Sequence, residues 1–135
     1  MFAKLRAWLV LTRGSNLPTV WSNLFAGWLL GYVYTDRFPW GPFLLASLLG
    51  LLIGVSLIYV GGMILNDAFD ARWDAERRSS RPIPAGLVSA RTAFVVGFLC
   101  LGLGAWFTIG SSLTDHRKVT ALLVGGLIAG VLIYD

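Results

Sequence analysis

Charged residues are scarce in this sequence. Only 13% of the 135 residues are Asp, Glu, Lys or Arg, whereas 56% are hydrophobic. Soluble domains carry about 25% charged residues, so the composition excludes an ordinary soluble protein and predicts a polytopic membrane protein. The net charge of +4 lies in the segments between apolar runs. That distribution excludes a nucleic-acid-binding patch and indicates membrane topology instead.

Cysteine and histidine are almost absent, with one residue of each. Cys100 lies within an apolar run, where we expect it to pack as a small apolar side chain, and a single thiol excludes an internal disulfide. His116 lies in a polar turn, and as a lone histidine it is a poor metal ligand. A cleavable signal pattern is also lacking, so we expect residues 1–13 to form a basic helix on the membrane surface.

Four long apolar runs make up most of the chain. They cover residues 16–34, 43–65, 92–111 and 119–134. At about 1.5 Å rise per residue each run is long enough to approach or exceed the thickness of the bilayer core, so we predict an all-α helix bundle with four spans. Ser89 is a suitable N-cap for the third of these helices. Glycine pairs four residues apart favour close helix packing, and they occur at 27/31, 50/54 and 126/130.

The basic residues predict the orientation of the bundle. Eight of them fall on one side of the membrane, and Arg37, Arg117 and Lys118 fall on the other. Because cytoplasmic segments carry the excess of Lys and Arg, the N-terminus and the loop 66–91 are predicted to be cytoplasmic in a cell membrane. The eight are Lys4, Arg6, Arg13, Arg72, Arg77, Arg78, Arg81 and Arg91.

The second apolar run ends in a cluster of acidic and amide side chains. With Asn66 at 0° on a helix, Asp70 falls at about 40°, Asp74 at about 80° and Asp67 at about 100°. Carboxylates that share one face repel one another unless a cation lies among them, and oxygen ligands suit Mg²⁺. Since Mg²⁺ keeps positions for water and substrate phosphate, this face predicts one half of a diphosphate site.

Two interpretations of this cluster remain open. It is either a solvated face with ordinary ion pairs or a functional site. Acids near a bilayer persist where they face a cavity or water, which favours function. Arg77 falls near 20° on the same face, and Arg81 lies on a proline-stiffened loop as either a partner of Asp74 or a clamp for diphosphate. Asn16 is either a cavity-lining residue or a hydrogen-bonding partner between helices.

A family resemblance rests on this cluster. The pattern Asn66-Asp67-x-x-Asp70-x-x-x-Asp74, followed by the Arg-Pro-Ile-Pro-x-Gly of residues 81–86, resembles the first aspartate-rich motif and the tail of the UbiA-type intramembrane prenyltransferases. The Arg13-x-x-Asn16 pattern also fits. The resemblance covers the whole chain and about the first half of a typical family member.

The resemblance implies a bundle of nine spanning helices, of which residues 1–135 form the N-terminal part of a single transmembrane domain. It implies Mg²⁺-dependent transfer of a prenyl group from an isoprenyl diphosphate to an unknown acceptor, such as an aromatic ring, a quinone precursor or another lipid precursor. The implied ligands of Mg²⁺ are Asn66, Asp67, Asp70 and Asp74, with Asp70 and Asn66 leading in catalysis. The implied contacts to diphosphate come from Arg81, Arg77, Arg13 and Asn16.

A second aspartate-rich motif is expected on the opposite wall of such a site, and nothing here matches it. The only acids after residue 86 are Asp115 and Asp135. We therefore expect a fragment, or a half-protein that is catalytically complete only with the missing C-terminal half. The alternative is a non-catalytic four-span module that binds a lipid diphosphate or a partner membrane protein. Both interpretations place the chain in the lipid bilayer with no nucleic acid.

Overall fold

The computed structural model describes residues 2–35, 42–112 and 117–134, and the secondary structure of these residues is entirely helical. This confirms the predicted all-α class. His116, Arg37, Asp115 and Asp135, which figured in the predictions above, lie outside the described residues. The elements are α1 (Phe2–Thr12), a 3-10 turn (Gly14–Asn16), α2 (Leu17–Thr35), α3 (Pro42–Phe69), α4 (Ala71–Arg77), α5 (Ala90–Gly110) and α6 (Arg117–Tyr134).

Each predicted span corresponds to one helix, in the order α2, α3, α5 and α6. Helix α3 is longer than its predicted span and carries the first residues of the acidic cluster. Within the described ranges, two segments are long and apolar enough to cross a membrane, Leu45–Phe69 and Ala90–Gly110. That all four helices cross the membrane stays a prediction.

Helices α3 and α5 form the closest contact of the bundle, through glycine. A Cβ atom added to Gly54 would lie 2.8 Å from the backbone nitrogen of Thr108 and 2.9 Å from the carbonyl oxygen of Gly104. The pair 50/54 therefore packs as predicted. By contrast, a Cβ atom added to Gly126 or Gly130 would meet nothing within 4 Å.

Alanine substitutions in α5 should have opposite effects at two glycines of the same helix. A Cβ atom at Gly104 would lie 2.8 Å from the carbonyl oxygen of Gly54, whereas one at Gly102 has nothing within 4 Å. We expect Gly104→Ala to destabilise the bundle by about 1–3 kcal/mol because backbone must move. Gly102→Ala should stabilise it by up to about 1 kcal/mol through helix propensity. Thermal unfolding in detergent measures both, and equal shifts would contradict this packing.

The loop after α4 folds back against α1 and the end of α3. The Oγ atom of Ser89 accepts a hydrogen bond from the backbone N–H of Thr92 at 3.0 Å, so the predicted N-cap of α5 is confirmed. The backbone N–H of Leu87 donates to the carbonyl oxygen of Pro82, and Gly86 has a positive φ of 71°. This arrangement brings Arg81 next to the acidic cluster. The buried apolar residues that hold it are Ala7, Leu11, Ile64, Ala68, Ile83, Val88 and Ala93.

Candidate functional site

The acidic cluster follows a nearly continuous helical path from α3 into α4. The backbone N–H of Asp70 donates to the carbonyl oxygen of Asn66 at 3.0 Å, and that of Asp74 donates to Asp70 at 2.8 Å. Asp70 itself is a turn residue between the two helices. Because the i to i+4 bonds persist across this turn, side chains four residues apart remain neighbours on one side of the path.

The side chains of the cluster divide into two environments. Asn66 and Asp70 line a cavity of about 930 Å³ that is bounded by α2, α3 and α6. Arg13, from the junction between α1 and the 3-10 turn, joins them at the same cavity. These three side chains give the cavity one polar region. Its remaining lining is mostly apolar and consists of Val20, Val55, Ile58, Tyr59, Gly62, Met63, Gly126, Leu127, Gly130 and Val131.

Asp67 and Asp74 belong instead to a buried ion-pair network. The side chain of Asp74 is 1% exposed and its Oδ2 accepts from Nη1 of Arg81 at 2.6 Å. The side chain of Asp67 is 7% exposed, and its Oδ1 accepts from Arg81 at 3.2 Å and from Nη2 of Arg13 at 3.3 Å. Arg81 thus makes the contact to Asp74 that the sequence left as one of two interpretations.

One acceptor in this network has no hydrogen-bond partner among the described residues. It is Oδ1 of Asp74, which is buried while Oδ2 of the same carboxylate binds Arg81. A buried carboxylate oxygen without a hydrogen-bond donor lowers the free energy of unfolding. The network therefore contains one unsatisfied acceptor among the described residues.

Arg13 has an unusual backbone. Its φ of 44° and ψ of 41° place it in the left-handed region, and it is the one non-glycine residue with positive φ in the described part of the chain. For a residue with a Cβ atom this conformation costs about 1–2 kcal/mol. Glycine would adopt it without that cost, so the arginine side chain is held at this position against the local preference of the backbone.

Arg77 and Asn16 are not among the described residues that line the cavity. The guanidinium group of Arg77 lies 4.6 Å from the ring centre of Trp73 and 3.7 Å from Oε2 of Glu76, on an exposed face of α4. The guanidinium group of Arg78 also lies near this indole ring, 5.6 Å from its centre. Asn16 is exposed at the end of the 3-10 turn. The structure therefore brings Arg13, Arg81 and the cluster together and leaves these two side chains apart.

Sequence reasoning missed the apolar walls of the cavity. The spacing of Gly126 and Gly130 predicts helix packing, yet both residues line the cavity, and a Cβ atom added to either would have no neighbour within 4 Å. Met63 and Tyr59 lie about one and two turns before Asn66 on α3 and line the same cavity. Their spacing of three and seven residues from Asn66, which places them on the same helix face, is the signal in the sequence.

The donor set at the polar region fits Mg²⁺. Asn66 and Asp70 supply oxygen atoms of the kind that Mg²⁺ prefers. No group of three or more His, Cys, Asp or Glu side chains is arranged to hold a metal within residues 2–35, 42–112 and 117–134. A cation here would need water and phosphate oxygens to complete its shell, which is the usual situation for Mg²⁺ at phosphate sites.

Comparisons with known proteins give one family. A family model described as the UbiA prenyltransferase family matches residues 22–135. A digeranylgeranylglyceryl phosphate synthase from Methanopyrus kandleri is 32% identical over 102 residues, which are 74% of this chain and 34% of that protein. A second such synthase, from Methanosarcina mazei, is 37% identical over 93 residues, which are 67% of this chain and 30% of that protein.

A relative with a different named activity is similar to the same degree. A 4-hydroxybenzoate octaprenyltransferase from Pectobacterium atrosepticum is 33% identical over 115 residues, which are 84% of this chain and 36% of that protein. The chain spans about a third of the length of the curated relatives that it matches. No solved structure shows significant similarity to it.

Proposed function

Because the chain belongs to the UbiA prenyltransferase family, we propose that it forms the diphosphate-binding part of an enzyme that transfers a prenyl group from an isoprenyl diphosphate to a lipid-biosynthesis acceptor. The observation that carries this proposal is the two-part lining of the cavity, polar at Arg13, Asn66 and Asp70 and mostly apolar elsewhere. An isoprenyl diphosphate has the same division, with an anionic head and a long apolar tail. Catalysis requires the rest of the family fold.

In this proposal Asn66 and Asp70 bind Mg²⁺ through their side-chain oxygens, with Asp67 and Asp74 as the supporting members of the motif. Bound Mg²⁺ would supply positive charge against the diphosphate. Arg13 lies beside that position and donates to phosphate oxygens, an interaction that strengthens as the leaving group gains charge. Departure of diphosphate leaves an allylic carbocation-like carbon, which the acceptor attacks.

Arg81 contributes from the network behind the cavity. Its Nη1 is engaged by Asp67 and Asp74, and its side chain is 26% exposed. The guanidinium group has five N–H donors, so the remaining ones can contact a diphosphate oxygen while these ion pairs persist. Arg77 and Asn16 are exposed and are not among the described residues that line the cavity, so in this proposal they are outer contacts to the charge of the donor.

The prenyl tail would lie along the apolar lining between α3 and α6. Gly126 and Gly130 keep this part of the cavity free of bulk because they have no side chains. The bilayer supplies the tail from the side. The acceptor is chosen by parts of the fold beyond this chain, and aromatic, quinone-precursor and other lipid-precursor acceptors all fit the proposal.

A second candidate function is a non-catalytic module that binds a lipid diphosphate or a partner membrane protein. The observation that favours it is the cavity itself, whose polar region and apolar lining suit the binding of a lipid diphosphate whether or not a prenyl group is transferred. Both functions use the same cavity. They differ in whether bound prenyl diphosphate is consumed.

Turnover separates the two functions. We expect the purified chain in lipid nanodiscs to bind Mg²⁺-pyrophosphate but to leave a prenyl diphosphate intact, and we expect transfer to appear when the chain is joined to the remaining part of a family member. Radiolabelled prenyl diphosphate and thin-layer chromatography of the products measure this. Binding without transfer in the joined protein would support the module, and absence of binding in both would exclude the diphosphate site.

We propose that the N-terminus and the 66–91 loop are cytoplasmic, as the distribution of basic residues predicts. Ser79 and Lys118 are both exposed and lie on opposite predicted sides. In a Cys100→Ala background, Ser79→Cys should react with a membrane-impermeant maleimide only after permeabilisation, whereas Lys118→Cys should react in intact cells. Labelling of Ser79→Cys from outside intact cells would reverse the assignment.

A further inference from the structure

Asp67 stands in the middle of the aspartate-rich motif, yet its carboxylate is turned away from the cavity. It is not among the described residues that line the cavity, although its neighbour Asn66 is. Its side chain is 7% exposed, and the same oxygen, Oδ1, accepts from both Arg13 and Arg81. A carboxylate that neutralises two guanidinium groups has little free charge left for a cation.

We infer that Asp67 is a positioning residue for anion binding, which holds Arg13 at the polar region of the cavity and joins it to Arg81. This rests on the proposed function, because it assigns a role within the same site. The four members of the motif then divide into two pairs. Asn66 and Asp70 face the cavity, whereas Asp67 and Asp74 hold the arginines.

Two independent observations support Arg13 as the side chain that binds an anion at the cavity. Its side chain is 40% exposed and lines the cavity while bonded to Asp67. Its backbone is in the left-handed region, where glycine would be favoured. A residue that served only as a structural partner for Asp67 would not explain why the chain holds an arginine in an unfavourable conformation beside a cavity. Binding of an anion there does explain it.

The ion pair also sets the orientation of Arg13. Arg13 lies at the junction between α1 and the 3-10 turn, and Asp67 lies on α3. Without the carboxylate, the guanidinium group would be free to turn to solvent, since the arginine side chain has several rotatable bonds. The contact to Asp67 therefore reduces the entropy that Arg13 loses when it binds an anion.

The test uses inorganic pyrophosphate as the ligand and the chain in lipid nanodiscs. Titration calorimetry gives the Kd of pyrophosphate at saturating Mg²⁺, and a second titration gives the Mg²⁺ concentration at half-saturation. We expect Asp67→Asn and Arg13→Gln each to raise the Kd of pyrophosphate about tenfold, with the Mg²⁺ half-saturation unchanged. The double variant should bind no more weakly than either single variant, because both changes remove one interaction. Asp70→Asn should instead raise the Mg²⁺ half-saturation.

The melting temperature of Arg13→Gly separates anion binding from a purely structural role. If Arg13 were only structural, its replacement would lower the melting temperature. We expect this variant to lose affinity for pyrophosphate while its melting temperature stays within about 2 °C, because relief of the left-handed conformation offsets the lost ion pair. A marked fall in melting temperature with unchanged affinity would overturn the inference. If Asp67→Asn does not fold, Asp67→Glu, which keeps the charge but displaces the carboxylate, should show the same loss of pyrophosphate affinity at unchanged Mg²⁺ half-saturation.

Failure of the inference is distinct from failure of the proposed function. If Asp67→Asn shifts the Mg²⁺ half-saturation as far as Asp70→Asn does, Asp67 is a metal ligand and the inference is wrong, while the diphosphate site stands. If the double variant shows the sum of the two single effects, Asp67 does not act through Arg13. If none of these variants, Asp70→Asn included, changes binding of pyrophosphate or Mg²⁺, the site itself is wrong and both proposals fall.

Discussion

Replacing Asp70 by asparagine is expected to lower the rate of prenyl transfer by a factor of roughly 10²–10³ while leaving membrane insertion intact. Asp70 is exposed and lines the cavity beside Asn66, so its charge faces the position proposed for Mg²⁺. Removal of that charge should weaken the binding of Mg²⁺, and the attraction between Mg²⁺ and the diphosphate would grow as the diphosphate departs. The rate is measured against Mg²⁺ concentration in a protein that joins this chain to the remaining part of the family fold.

The matched control for Asp70 is Glu76. Its side chain is 77% exposed and forms an ion pair with Arg77 at 3.7 Å, on the outer face of α4. Glu76→Gln removes the same charge a short distance along the chain and should leave the rate nearly unchanged, since exposed ion pairs contribute at most about 1 kcal/mol. Equal rates for Asp70→Asn and Glu76→Gln would leave the solvated-face interpretation of the cluster standing.

Replacing Asp74 by asparagine is expected to destabilise the folded protein by about 2–3 kcal/mol. Asp74 is among the largest fully buried side chains, and its contact to Arg81 at 2.6 Å is the shortest ion pair of the network. Loss of its charge leaves Arg81 with Asp67 as its remaining carboxylate partner among the described residues. Because Arg81 is 26% exposed, solvent lowers the cost below that of a fully buried pair.

Thermal unfolding and expression level measure the effect of Asp74→Asn, with Glu76→Gln again as the exposed control. A double-mutant cycle with Arg81→Gln should give a coupling term, so that the double variant is less destabilised than the sum of the single variants. Additive losses would mean that Asp74 is needed for some contact other than Arg81. Such a result would direct attention to Oδ1 of Asp74, the oxygen without a partner among the described residues.

The helices could be predicted from the sequence because apolar runs and caps are local. The four predicted spans match α2, α3, α5 and α6 to within a few residues at most ends, and Ser89 caps α5 as expected. The surroundings of the glycine pairs could not be predicted in the same way. The pair 50/54 packs against α5 and the pair 126/130 faces a cavity, although both have the same spacing. Whether a glycine pair packs against a helix or faces a cavity depends on the position of the neighbouring helix, which the spacing does not specify.

The environments of the side chains in the acidic cluster could not be predicted from local spacing either. Helical angles place Asn66, Asp67 and Asp70 within about 100° of one another, which predicts one shared face. In the structure that arc spans two environments, because the loop 78–89 returns Arg81 to one side of it and the cavity occupies the other. The return of this loop depends on contacts between residues far apart in sequence. Periodicity within one helix does not contain that information.

The central claim is that the cavity between α2, α3 and α6 binds an isoprenyl diphosphate. Photoaffinity labelling with an isoprenyl diphosphate that carries a diazirine in its tail tests it most directly, because mass spectrometry of the labelled peptides locates the tail. We predict labelling of α3 near Met63 and of α6 near Leu127, dependent on Mg²⁺ and reduced by excess pyrophosphate. A second apolar groove is lined by Trp21, Phe25, Leu52, Ile53, Ser56 and Leu57. Labelling that is confined to this groove and is not reduced by pyrophosphate would contradict the claim.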